Sequence, residues 1–449
     1  MAYQKTIQEL VSEFCQLPHN INHLLYVDSS DSFYYYQDDK GYFKLLQRRE
    51  LSKIIYMFLC QNMTKNLNDG TVQDFIKQIK YRVYRNNENG NSNLIALQKK
   101  KLLDVSTFEM FDASYDKVAY SYVDCDPDVI TNFNGEAPPM FSKFLSEVLV
   151  DKDLQPDLSM RDLIQEMMGY YLIPTLEAHA SFFLVGSGQN GKSVMLNVMR
   201  KMIGEEFIEA MSIEKLTTND FAASSLIGKK INICLEEESS YVKSDKFKAM
   251  VSGDPISVER KYGDSFMWEP TVKYVFATNE MPTFSGLNYG LIRRIKMIPF
   301  NRLISEDKKD SKLTEKLITE LSGILAWAMA GAKRLTENGF KFTECTQSSN
   351  KIHEFKENIS AAILFYNENY SSGEGDDDFL SNDELYDNYV FWCEKRGKKR
   401  QSYYVFMRDI NTHVLLPDVA GVDKDGKKCV GKYLKQLNSK YENLTLPKF

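Results

Sequence analysis

Residues Gly186-Ser187-Gly188-Gln189-Asn190-Gly191-Lys192-Ser193 place two glycines, a lysine and a hydroxyl in the pattern G-x-x-x-x-G-K-S. Those residue types at that spacing suit phosphate chemistry. The glycines let backbone N–H groups close around phosphate oxygens. Lys192 reaches the β- and γ-phosphates, and the Ser193 hydroxyl is placed to ligate Mg²⁺. A chance match in a chain this long is about one in a hundred, so residues 186–193 are expected to bind ATP with Mg²⁺.

A phosphate cradle hydrolyses nothing without an acid beside it. Ile231, Ile233, Cys234 and Leu235 read as a buried strand, and Glu236, Glu237 and Glu238 follow at its end. One carboxylate there can hold the metal while the next polarises the attacking water. We assign Glu236 to the metal and Glu237 to the water; three consecutive glutamates leave the register open by one residue. A further strand, Val272 to Ala277, runs into Asn279, whose amide can orient the water or sense the γ-phosphate. Arg293 and Arg294 precede the apolar run Ile295 to Phe300. An arginine there neutralises transition-state charge if it reaches the γ-phosphate of a neighbouring subunit, which demands an oligomer.

The elements that must position these groups are legible around them. Phe182 to Val185 is a short apolar run suited to a buried parallel strand. Val194, Leu196, Val198 and Met199 then lie in a helix that should cap near Gly204. Strand, glycine loop and helix is the order the chemistry needs. Ahead of it, Pro127, Pro138 and Pro139 punctuate a link into a helical segment from Phe141 to Leu172.

Nearer the N-terminus, the aromatic runs Phe33–Tyr36 and Tyr42–Leu46 flank Asp38 to Gly41 and read as a hairpin. A helix carrying Leu51, Ile54, Ile55, Phe58 and Leu59 on one face follows. Asn87 to Asn93 reads as a loop, and Lys99, Lys100 and Lys101 as a solvated face, with phosphate contact as the alternative. Asp124, Asp126 and Asp128 alternate as metal ligands do but lack the glycine and distal glutamate of a calcium loop, so a turn around Pro127 is expected. Cys15, His19 and His23 share a helical face without a fourth ligand.

From Ser371 to Asp383, Gly, Ser and five acids interrupt the apolar periodicity and suggest a linker. Beyond it, Ser381 and Glu384 form a capping box for a helix with Leu385, Tyr389 and Trp392 on one face. A second helix starts near Ser402, and Asp425-Gly426 marks a hairpin. Two helices and a hairpin make a winged helix. From Phe391 onward 13 Lys and Arg stand against 6 Asp and Glu, in a chain whose net charge is −6. Lys398, Lys399 and Arg400 before the second helix, with Lys427 and Lys428 on the hairpin, are the footprint of a duplex-DNA-binding module; the plain alternative is a solvated basic surface.

Seven scattered cysteines, never spaced C-x-x-C, argue against a disulfide framework or a zinc module. No run approaches the roughly 20 apolar residues of a membrane span, and no leader is evident. A cytoplasmic protein, in a bacterial host, is expected. The full expectation is an α/β AAA+-like P-loop ATPase core with an α+β N-terminal region and a C-terminal winged-helix domain. Its divisions are 1–135, 136–345 for the ATPase with its leading helices, 346–383 for a helix and acidic linker, and 384–449.

The motifs converge on a known family. The loop G-x-G-x-N-G-K-S is followed by an apolar strand ending in Glu, then Phe247-Lys248, Ser252-Gly253-Asp254 and Arg260-Lys261-Tyr262. After these come A-T-N-E-M-P and an Arg pair before I-P-F. This order resembles the superfamily 3 helicases, in the branch fused to or encoded beside primases in phages, plasmids, poxviruses and mobile bacterial elements. Asn93-Leu94-Ile95, Leu103-Asp104, Pro138 to Leu145, Gly169-Tyr170 and Ile324 to Trp327 extend the resemblance over most of the chain. It implies a hexameric ring that hydrolyses ATP between subunits and moves 3′ to 5′ on single-stranded DNA, as the replication initiator of a mobile element. A separate primase or polymerase would work beside it. The segment Gly253 to Tyr262 would line the channel, with Lys261, Lys248 and Arg260 gripping the strand. Primase activity is not expected. Two other readings stand beside this one: an origin-binding initiator whose ATPase only switches assembly, and a P-loop ATPase that is no helicase.

Overall fold

The computed structural model describes residues 5–437, apart from 21, 29–30, 64–66, 85–92, 238–240, 260–264, 285–288, 306, 308, 360, 374–377, 415–417 and 424. At its centre lies a five-stranded sheet built from Ser181–Val185, Ile208–Glu209, Ile231–Glu237, Lys273–Thr278 and Ile295–Pro299. Across the sheet the order is 295–299, 181–185, 273–278, 231–237, 208–209, and every pairing is parallel. The strands 181–185 and 273–278 are buried at every position. That is why Phe182–Val185 and Tyr274–Ala277 within them read as contiguous apolar runs and not as alternating patterns. After Ser181–Val185 the chain crosses to one side of that strand and finally returns on the other. The carboxyl end of this strand is therefore a crevice of the kind where open parallel sheets bind ligands.

The helix Lys192–Ile203 follows the glycine loop and ends at Gly204, whose φ of 96° closes it. The expected helical segment Phe141 to Leu172 is instead two helices, Pro139–Val148 and Leu158–Tyr170. Between them the chain folds back so that Asp157 N–H donates to Leu149 O at 2.9 Å, and the Asp157 carboxylate then caps the second helix through Met160 N–H. Polar turn residues and Pro156 override the helical spacing here. The helix Leu321–Glu337 packs on Leu158–Tyr170, where Arg334 meets the buried Glu166 at 2.8 Å.

The N-terminal region holds an antiparallel sheet of Leu24–Val27, Ser32–Gln37 and Tyr42–Leu46, and helices Ile7–Gln16, Arg48–Asn62 and Asp69–Val83. The last of these was not read from sequence. A second sheet pairs Met110–Asp112, Lys101–Asp104, Leu94–Leu97 and Ser121–Tyr122. Lys99 is not simply solvated: it meets Asp126 at 2.8 Å and Asp128 at 2.6 Å, while Lys101 meets Asp112 at 2.7 Å. In place of a turn, Asp126 caps the short helix Pro127–Thr131. Most of the expected loop 87–93 lies outside the described residues.

At the C-terminal end, helices Ala361–Asn369, Asn382–Arg396 and Tyr403–Val414 pack around Phe365, Tyr389, Trp392 and Phe406. The acidic stretch expected to be a linker instead carries two strands, Tyr370–Ser372 and Phe379–Ser381. Both pair with Lys428–Gln436, as does Val419–Val422. Ser381 ends one of these strands and caps the next helix, with the Glu384 box in place. No helix among the described residues is long and apolar enough to cross a membrane.

Candidate nucleotide site

The loop leaves its strand at Gly186, where the space for a side chain is already filled. A Cβ there would stand 2.3 Å from Asn190 Nδ2 and 2.6 Å from Phe300 O. Gly188 and Gly191 have φ of 99° and 88°, and Gln189 also takes a left-handed conformation. This sequence of turns wraps the backbone into the start of the helix Lys192–Ile203, whose amino end carries partial positive charge and no acidic residue in its first turn. The buried Asn190 side chain donates to Phe300 O at 3.1 Å, and Ile304 N–H donates to Gln189 O at 2.8 Å. The strand Ile295–Pro299 and the residues after it therefore hold the loop closed from one side.

Lys192 is nearly buried. Its ammonium donates to Gly186 O and, at 3.3 Å, to Asn190 Oδ1. Burial lowers its pKa from the ordinary lysine value, because a desolvated cation lacks water's stabilisation. The loop's own oxygens, the Gly186 carbonyl and the Asn190 amide, thus hold the lysine. Ser193 is exposed one residue further on.

These residues face a cleft of about 1340 Å³. Gly188 to Ser193 line it, as do Asn279, just past the neighbouring strand Lys273–Thr278, and Glu236 and Glu237 at the end of the next strand, Ile231–Glu237. Gly186 and Ser187 form the root of the loop behind it. Sequence reasoning missed Lys143, Arg302 and Lys316, which also line the cleft. Arg302 donates to Glu147 O at 3.3 Å and Lys316 meets Asp310 at 2.6 Å. Only their spacing after the strand Ile295–Pro299, or within a leading helix, could have hinted at this.

The two described glutamates differ. Glu236 is exposed in the cleft, whereas Glu237 is buried and its carboxylate accepts Ile213 N–H at 2.9 Å. Glu238 lies outside the described residues. The donor set of hydroxyl, carboxylate and amide around a lysine-bearing loop fits a magnesium-bound nucleotide, with Ser193 and Glu236 as the groups that would hold the ion.

The Arg pair is not brought to this cleft. Arg293 and Arg294 precede the strand Ile295–Pro299, at the opposite end of the sheet, about five residues at roughly 3.3 Å each from the loop. Arg293 is exposed. Arg294 donates to Ser252 Oγ at 2.7 Å and to Gly290 O at 2.6 Å.

Strands Ile256–Glu259 and Ser265–Trp268 pair antiparallel; the hairpin that the family resemblance implied runs from Gly253 to Tyr262, and its end lies outside the described residues. Arg260 and Lys261 lie outside the described residues. Lys248, on the helix Ser244–Ser252, meets Asp245 at 2.7 Å. Lys398, Lys399 and Arg400 are exposed ahead of Tyr403–Val414, and Lys427 and Lys428 are exposed on the C-terminal hairpin.

Residues 184–294 match a family model described as a family of unknown function, DUF5906. The chain is 29% identical over 261 residues to a putative helicase of Acanthamoeba polyphaga mimivirus; the match takes in 56% of this chain and 24% of that one. The chain thus spans about a quarter of that relative's length. Among solved structures, the apo A form of the NrS-1 C-terminal region is 12% identical with a TM-score of 0.49, covering 96% of this chain and all of that one. A second apo structure of that region, residues 305–718, gives 11% and 0.48.

Proposed function

We propose that the chain is an ATP-dependent DNA helicase of the superfamily 3 type, working as a ring that hydrolyses ATP between subunits. The observation that carries this reading is the convergence of Lys192, Ser193, Glu236 and Asn279 on one cleft at the carboxyl end of the central strands. Lys192 grips the β- and γ-phosphates. Ser193 and Glu236 hold Mg²⁺, and Asn279 orients the attacking water. Similarity to a putative viral helicase supports the same class of activity.

Arg293, exposed at the far end of the sheet, serves the cleft of the next subunit, which is why the active unit is an oligomer, a hexamer by family resemblance. The hairpin from Ile256 to Trp268 lines the channel with Lys248, Arg260 and Lys261, and drives 3′ to 5′ movement on single-stranded DNA. At the C-terminal end, a helix, two strands, two helices and a hairpin, with exposed Lys398, Lys399, Arg400, Lys427 and Lys428, support a winged helix that binds duplex DNA. Such a chain acts as the replication initiator of a mobile element, beside a separate primase or polymerase.

The test is ATP hydrolysis with and without single-stranded DNA, together with mass in solution and strand displacement on a forked substrate. Stimulation by DNA, a ring-sized mass and 3′ to 5′ displacement lost in Lys192→Ala are the expected results. A monomer whose hydrolysis ignores DNA overturns the reading. DNA-dependent assembly without displacement would favour an ATP-switched initiator.

A further inference from the structure

At the amino ends of the central strands, opposite the nucleotide cleft, lies a second cavity of about 670 Å³. The N-terminal region contributes Tyr34, Lys44 and Tyr120 to its wall; the other side brings Phe207, Trp268 and a pair of lysines, Lys230 and Lys273. The pair is joined through the backbone, since Lys273 N–H donates to Lys230 O at 3.1 Å.

Both side chains are held by neutral groups. The Lys230 ammonium donates to Ser121 Oγ at 2.7 Å. Lys273 is 3% exposed; its ammonium donates to Ile173 O and sits 4.5 Å from the centre of the Tyr170 ring. Burial pushes Lys230 down to about 8, and burial together with the charge of Lys230 pushes Lys273 well below the ordinary value; no carboxylate acts on either. The three carboxylates on the cavity wall, Glu50, Glu206 and Glu269, belong to exposed residues. Glu50 accepts Gln47 N–H at 3.1 Å and Glu206 accepts the Tyr42 hydroxyl at 3.0 Å.

A buried lysine beside a partly buried one, with no carboxylate among the described residues acting on either, is a costly pairing unless an anion joins them. The cavity also has the size and aromatic lining of a small-molecule site. We infer that this cavity binds a phosphate-bearing small molecule between Lys230 and Lys273, tying the N-terminal region to the central sheet. The site is separate from residues 186–193 and stands or falls independently of the helicase reading. A bound dianion restores the charge on both lysines, so binding takes up protons.

The experiment uses the full chain carrying Lys192→Ala, which removes the phosphate grip of the other cleft. It is titrated calorimetrically with inorganic phosphate and, separately, with AMP. Saturable binding is expected, weakened at least about tenfold by Lys230→Met and by Lys273→Met. Tighter binding of AMP assigns a nucleotide; equal affinities assign free phosphate. Sulfate, which does not titrate in this range, should bind less tightly as pH rises from about 7 to about 9. This arm needs no cavity substitution and reads the site even if Lys273→Met fails to fold. Absence of saturable binding, binding indifferent to Lys230→Met, or sulfate affinity independent of pH overturns the inference.

Discussion

The Glu237 carboxylate accepts the backbone N–H of Ile213 at 2.9 Å. It thereby ties the end of the strand Ile231–Glu237 to the first turn of the helix Ile213–Thr218. Between Cys234 and Glu237 the strand's pairing is irregular, and within that break Glu236 is exposed in the cleft.

The two glutamates should therefore fail differently when substituted. Glu236→Gln should lower ATP hydrolysis by at least about 100-fold and leave the melting temperature unchanged. Glu237→Ala removes a buried acceptor and should cost about 1.5–3 kcal/mol of stability, seen as a lower denaturant midpoint. If Glu237→Ala keeps its stability and loses hydrolysis, Glu237 polarises the attacking water, the role its place beside Glu236 in sequence suggests, and not a structural tie to Ile213.

The arginine pair makes a second contrast. Arg294 is spent on Ser252 and Gly290 within its own chain, leaving Arg293 as the exposed member. Arg293→Ala should reduce DNA-stimulated hydrolysis by about 10³-fold or more while nucleotide binding persists. Mixing it with Lys192→Ala should restore part of the activity, because some interfaces then pair an intact lysine with an intact arginine. Full activity of Arg293→Ala, or no recovery at any mixing ratio, would count against a role across subunits.

Much of this site was legible because buried parallel strands write themselves as contiguous apolar runs, and Phe182 to Val185 and Tyr274 to Ala277 are such runs. The glycine loop has a spacing that its backbone geometry demands. What escaped reading depends on tertiary contact. Three glutamates in a row carry no phase, so only the Ile213 contact separates Glu236 from Glu237. Strands as short as Tyr370–Ser372 and Phe379–Ser381 show no period, and their acidic surroundings look like a linker until Lys428–Gln436 pairs with both. The burial of Lys273 and the partial burial of Lys230 are invisible in sequence, since a lysine before or at the start of a strand is ordinarily solvated. The helix Asp69–Val83 did have a signal, with Val72, Phe75, Ile76 and Ile79 at helical spacing and all buried.

Lys230 and Lys273 give stability an unusual slope with pH. An unfolded lysine titrates near 10.4, whereas Lys230 is held at about 8 and Lys273 well below its ordinary value. Between those values the unfolded chain binds more protons, so stability rises as pH rises from about 8 toward 10. Above about 10 the trend should reverse, because burial raises Tyr42 and Tyr122 above ordinary tyrosine values and the unfolded chain then loses protons first. Thermal melts in buffer free of phosphate and sulfate should show the rise, and Lys230→Met should flatten it. A melting temperature that falls steadily across this window would contradict it.

The C-terminal basic groups divide into those with structural partners and those without such duties. Lys432 is fully buried against Asp418 at 2.9 Å, and Arg396 meets Glu368 at 2.8 Å. Neither is positioned to give up its partner for DNA at low cost. Lys399, Arg400, Lys427 and Lys428 are exposed on the loop before Tyr403–Val414 and on the hairpin. A cation that neutralises a DNA phosphate releases a counterion, so removing one such cation should lower the salt slope of duplex binding by about 0.9. Replacing Lys399 and Arg400 with glutamine should therefore lower it by about 1.8 without moving the melting temperature, whereas Lys432→Met should change stability first. Fluorescence anisotropy across a salt series separates the two. An unaltered slope for the glutamine pair would make this face a solvated surface and not a DNA contact.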